Sequence, residues 1–200
     1  MMHVATKHEA REILDELERD SNSQLYRCRY DAERVAIIVP QILSCLAIDD
    51  TVIVHRALCA LHLIGRDAHL AIQAVTKFVF HHDKVIRDVA VLTLARISIR
   101  YPQRAIKPLV FAASEPETQK LALFALIDLG PNAISAVSVF VSAFESRDAR
   151  IRRLALRGLK VIGADKATVE PLIKSARNDS NGLVRDTAEK LARSFETRRV

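Results

Sequence analysis

Apolar and polar residues follow a helical rhythm along this chain, nested inside a longer period. Ala57, Ala90, Ala122, Ala155 and Ala188 recur at intervals of 33, 32, 33 and 33 residues. Around each alanine, apolar residues fall three and four positions apart, which gathers them on one face of a helix. The stretches that share this frame are 50–65, 83–98, 115–130, 148–163 and 181–196. Each opens on a polar or acidic residue. An apolar residue or threonine follows at the third position, often arginine at the fourth, alanine at the seventh, and apolar residues near the eleventh and fourteenth. Asp50, Asp83, Asp148 and Asn181 suit the opening position, because their side chains can accept from the free amides of a first helical turn. An alanine in the middle of the apolar face lets a neighbouring helix come close.

Between these stretches lie less regular apolar segments, at roughly 31–46, 68–80, 102–113, 132–145 and 166–177. Pro40, Pro108 and Pro171 fall inside three of them. A proline there removes one backbone hydrogen bond and bends the helix. Gly65, Gly130 and Gly163 stand where second helices should end. Repetition at this period is the mark of stacked helix pairs. Residues 6–20 do not fit the frame and predict an amphipathic capping helix with Ile13, Leu14 and Leu17 facing inward. The expected organisation is a cap and linker over 1–29, then five repeats over 30–200.

Composition agrees with helices. Half the residues are hydrophobic, with only 5 glycines and 6 prolines in 200 residues and no tryptophan. Cys28, Cys45 and Cys59 form no CxxC pair, so they read as reduced thiols in a cytoplasmic setting. The N-terminus is acidic and lacks the apolar run of a signal peptide. The longest apolar-looking run, Val35 to Ala47, is interrupted by Pro40, Gln41 and Ser44 and falls short of the roughly 18 residues of a membrane span.

Paired helices, a proline in the first, and the pattern D-x-x-[VI]-R-x-x-A in the second resemble HEAT repeats. Ile86-Arg87, Ile151-Arg152 and Val184-Arg185 carry the core of that pattern. The resemblance covers about residues 30–200. It implies an all-α fold, a right-handed α-α superhelix (a HEAT-like, armadillo-like solenoid) of about five helix pairs behind an N-terminal capping helix. Arg87, Arg152 and Arg185 are then implied to be structural, each bridging to an acidic residue of an adjacent repeat. Val54 and Gln119 replace the arginine in the first and third repeats, so such a ladder is broken there. The period is shorter than in typical HEAT units and similar to the short repeats of phycobilin lyase relatives. The TPLHxA signature of ankyrin repeats, which have a like period, is absent.

Catalytic and metal signatures are sparse. No Walker loop, GxGxxG, HExxH or GxSxG occurs. His81-His82 lie at a turn, and His55, Cys59 and His62 share a helical face, but a zinc site needs about four convergent ligands. A polar turn and a half-buried helix edge are the simpler readings. Neither metal, cofactor nor catalytic residue is expected. The terminal Glu196–Val200 lacks the hydroxyl of a PDZ ligand, since Arg198 stands there.

Charge changes the picture more. Residues 1–144 hold 16 Lys+Arg and 16 Asp+Glu, while 145–200 hold 14 and 8, so the whole excess of +6 sits in the last quarter. The positions five, nine and twelve after each opening residue flank the buried stripe. In the first helix pair they are His55, Cys59 and His62, and in the second Asp88, Leu92 and Ala95. The third pair has Lys120, Phe124 and Ile127 there, the fourth Arg153, Arg157 and Lys160, and the fifth Asp186, Lys190 and Arg193. Second helices line the concave side of a HEAT-like stack, so this set predicts a stripe that is apolar in the middle and basic at the C-terminal end. The competing reading places Leu92, Phe124 and Ile127 in the core and the arginines in solvent.

The function that follows is a non-enzymatic protein-interaction scaffold. Leu92, Phe124, Arg153, Arg157, Lys160, Lys190 and Arg193 would hold an acidic, partly apolar segment of another protein. One alternative is nucleic-acid binding through the basic C-terminal repeats, against which aromatics amount to only 5%. A second is a lyase or enzyme-accessory subunit of the phycobilin-lyase type. Self-association is also open, the acidic first helix meeting the basic last repeat head to tail.

Overall fold

The structure, a computed structural model, describes residues 5–19 and 32–196. Residues 1–4, residues 20–31 (Cys28, the rest of the expected cap and linker at 1–29, and the first two residues of the expected repeats) and the tail 197–200 lie outside the described residues. The chain clusters into two compact units, Met1–Pro108 and Leu109–Val200.

Among the described residues the regular elements are helices. In the first unit these are α1 (Lys7–Arg19), α2 (Ala32–Cys45), α3 (Thr51–Ile64), α4 (Ile72–Phe78) and α5 (Lys84–Ile97). Then α6 (Gln103–Ser114) leads into α7 (Gln119–Asp128), α8 (Val137–Ala143), α9 (Ala149–Ile162), α10 (Lys166–Ala176) and α11 (Gly182–Glu196). The five alanine frames are thus α3, α5, α7, α9 and α11, and all five anchor alanines are fully buried. In the first unit α3 packs on α5, with α2 against α3, α4 against α5, and α1 over both α2 and α3. In the second, α9 packs between α7 and α11, with α8 on its flank and α10 against α11.

The caps follow the opening residues. Asp50 accepts from the Val52 and Ile53 amides, Asp83 from Val85 and Ile86, Asp148 from Arg150, and Asn181 from Leu183. The backbone bond from Ile86, and that from Ile53, hold the Asp83 and Asp50 carboxyls below the usual carboxylate range. The third frame departs from the expectation. Residues 115–118 do not start a helix, and α7 begins only at Gln119. Thr118 caps nothing; its buried hydroxyl donates instead to the Ala112 carbonyl at 2.6 Å.

The first helices of the second and fourth repeats are also shorter than expected. Gly65 and Gly130, at φ 71° and 60°, turn the chain directly into 3₁₀ segments, Gly65–Ala71 and Gly130–Ala136, that bend at Ala68 and Ala133 before α4 and α8 begin. No side chain caps the start of either helix. In the fifth repeat Gly163 is followed by Ala164 and then Asp165, which caps α10 by accepting from the Thr168 amide, and a full α-helix forms. Pro40, Pro108 and Pro171 lie inside α2, α6 and α10.

In α1, Leu14 and Leu17 are buried as expected, but Ala10 is the third inward residue and Ile13 is only half-buried. The helix is tied down by Arg56 of α3, whose guanidinium donates to Asp15 at 2.6 Å and to Glu18 at 2.8 and 2.9 Å. The bonds to Glu18, more than those to Asp15, push the Arg56 pKa up.

Candidate functional site

The repeated arginines are structural. Arg87, Arg152 and Arg185 each turn back and donate to two carbonyls of the preceding turn: His81 and His82, Ser146 and Arg147, Asp179 and Ser180. Arg152 also makes the expected bridge to the next repeat. It clamps Asp179 with two bonds of 2.7 Å in a site almost closed to solvent. That clamp holds the Asp179 carboxyl below the usual carboxylate range.

With Arg152 turned toward Asp179, its neighbours on α9 face elsewhere. Arg150, Arg153 and Arg157 stand three and four residues apart and form one column along the helix. The opposite face of α9 is buried through Ile151, Ala155, Gly158, Leu159 and Ile162. Gly158 matters here, because a Cβ at that position would lie 2.1 Å from the ring of Phe140 on α8. Its absence lets the buried ring of Phe140 pack directly onto α9.

The arginine column borders a cavity of about 280 Å³ in the second unit. From α7 come Lys120 and Phe124, one turn apart; Leu154 forms part of the floor; Asn181 and Leu183 close it at the start of α11. Phe124 is 36% exposed and Leu183 56%, although an aromatic ring and a leucine would ordinarily be covered. Among the described residues no carboxylate lines the cavity. Among the described residues, Lys120, Arg150, Arg153 and Arg157 have no ion-pair partner. The result is an apolar patch ringed by four uncompensated cations.

Of the residues expected to bind a partner, Phe124, Arg153 and Arg157 meet at this cavity. Lys160, Lys190 and Arg193 are exposed but do not line it. Leu92, 39% exposed, belongs to the first unit. The competing assignment of Leu92 and Phe124 to the core is corrected by these exposures, while Ile127 is half-buried. Arg150 and Leu183 were missed. They occupy the second position of their frames, where Val52 and Val85 are also exposed in the first unit. Apolar or basic residues at that position in four of the five frames, Glu117 being the exception, were the available signal.

Elsewhere, Cys59 Sγ lies 3.9 Å from His55 Nε2. Burial, with a smaller contribution from Glu18, pushes the Cys59 thiol up, the reverse of what activates a nucleophile. Among the described residues no group of three or more His, Cys, Asp or Glu stands together as a metal site would require. Nor is any described helix long and apolar enough to cross a membrane.

Stacked helix pairs with buried alanines and arginine-braced turns define the chain as an all-α repeat protein. Residues 104–192 match the family model of HEAT repeats, and the chain carries HEAT repeats there. No curated protein matches the chain. Its fold is similar to that of solved structures, two of which follow. One is a crystal structure of an engineered protein, 17% identical over 94% of this chain and 96% of that one, with a TM-score of 0.64. The other is a designed armadillo repeat protein in complex with the peptide (KR)4, 15% identical over 94% of this chain and 99% of that one, with a TM-score of 0.67. The fold is therefore that of α solenoids of the HEAT and armadillo type.

Proposed function

We propose that the protein is a non-catalytic scaffold whose second unit holds an acidic, partly apolar segment of another protein. In this reading residues 30–200 work as one repeat domain behind the cap at 1–29, in the cytoplasm. The observation that carries the proposal is the ring of Lys120, Arg150, Arg153 and Arg157 around exposed Phe124 and Leu183. Four cations left unpaired at one cavity attract carboxylates, and an apolar floor rewards a side chain that leaves water. The designed armadillo neighbour holds a basic peptide; here the protein supplies the positive charge, so the expected ligand has the opposite sign.

The test is fluorescence anisotropy with a labelled peptide that alternates Glu with Phe and Leu, set against a poly-Glu peptide of equal charge and a labelled DNA duplex. The expected order is the mixed peptide first, with Arg153→Glu/Arg157→Glu weakening it about tenfold or more, since two attractive rim pairs become repulsive. Phe124→Ala should lower affinity for the mixed peptide and leave poly-Glu unchanged. Tighter, steeply salt-dependent binding of the duplex would replace this reading with the nucleic-acid one.

A further inference from the structure

The first unit carries a surface that mirrors the arginine column. On α1, Glu9, Glu12 and Glu16 repeat the three- and four-residue spacing of Arg150, Arg153 and Arg157. The apolar neighbour also falls in the same register. Ile13 stands four residues after Glu9, and Leu154 four residues after Arg150. Each column covers eight residues, seven steps of the helix or about 10 Å, so the two columns have the same pitch.

The acidic column faces outward. Glu9, Glu12 and Glu16 are all exposed, while Arg56 holds α1 through Asp15, which stands beside Glu12, and Glu18 one turn further on. Glu9 accepts from the Thr6 amide and hydroxyl, and Glu12 lies 3.4 Å from His8, both within the same exposed turn region. Beside the column, half-buried Ile13 and exposed Pro40 of α2 border an open cavity of about 510 Å³. It can receive an apolar side chain, and Leu183 of the basic cavity is 56% exposed.

We propose that the protein self-associates head to tail, the Glu9–Glu12–Glu16 ridge of one copy, with Ile13 beside it, docking on the Arg150–Arg153–Arg157 ridge of the next, with exposed Leu183 beside it. The occupant of the acidic groove is thus a second copy of this chain. The contact joins two different surfaces, so it can be passed on from copy to copy. It rests on the reading of the basic cavity as a docking site, and gives that site a built-in competitor: an acidic partner segment releases the assembly by taking the arginines.

Sedimentation velocity of the full chain tests this at rising concentration, in low and high salt. The expected result is assembly that grows with concentration and dissolves in high salt, where charges more than a few ångströms apart are screened. Glu12→Arg/Glu16→Arg and Arg153→Glu/Arg157→Glu should each be monomeric alone, with unchanged circular dichroism. An equimolar mixture of the two should assemble again, because each variant then offers the ridge the other lacks. The mixed Glu/Phe/Leu peptide should dissociate the wild-type assembly. A wild-type chain that stays monomeric at every concentration in low salt overturns the proposal, as does a mixture of the variants that does not assemble. The scaffold reading fails separately: Glu12→Arg/Glu16→Arg must lose assembly while keeping peptide affinity, and loss of peptide binding in wild type would sink that reading whatever the mass of the protein.

Discussion

Replacing Gly158 by alanine puts a methyl group where the ring of Phe140 already lies. The added Cβ would stand 2.1, 2.4 and 2.7 Å from three ring carbons, far inside ordinary contact. Phe140 has no exposed surface, so the ring cannot swing into solvent to make room. On helix propensity alone the substitution stabilises by about 1 kcal/mol. Forcing a methyl into a packed site costs about 1–3 kcal/mol, and the depth of this overlap points to the upper part of that range. The expected outcome is a net loss of about 1–2 kcal/mol, which for a chain of this size lowers the melting temperature by about 2–4 °C per kcal/mol. Thermal unfolding by circular dichroism measures the loss, and hydrogen exchange should place it in α8 and α9. Phe140→Leu in the Gly158→Ala background should recover part of it by removing the ring atoms. A Gly158→Ala protein that melts at or above the wild-type temperature would show that the close approach of α8 to α9 does not depend on the missing Cβ.

Two further predictions concern charge. Asp179 is held below its ordinary pKa by Arg152, so its carboxylate contributes stability that is present above about pH 3.9, the unfolded value, and is lost as pH falls through the lower folded value. Asp179→Asn should therefore unfold more easily than wild type at neutral pH, and urea titrations at decreasing pH should show the gap closing below about pH 4; a gap of constant size would refute the linkage. Arg56→Ala should release α1, since Asp15 and Glu18 both lose the guanidinium that holds them to α3. The carboxylates are about half exposed, so the global cost should stay near 1 kcal/mol or below, with faster hydrogen exchange over residues 7–19 as the specific readout.

The sequence by itself determined the helices and their register. A 33-residue recurrence of Ala57, Ala90, Ala122, Ala155 and Ala188 identifies which face of each second helix is buried, because a 3.6-residue turn ties spacing to direction. Asp50, Asp83, Asp148 and Asn181 mark four of the five starts for an equally local reason: a cap bonds within its own first turn. Tertiary structure decided what lies at the edges of that face. Periodicity shows that Leu92 and Phe124 flank the buried stripe, but how far a neighbouring helix covers them depends on packing, and both emerge exposed. Arg150 and Arg152 stand two residues apart in nearly the same composition. One borders the cavity and the other is locked on Asp179, 27 residues away, a choice made by a contact that no local pattern encodes. Gly158 is of the same kind: inside its helix it reads as a weak point, and only the ring of Phe140 pressed against it shows why a side chain has no room there.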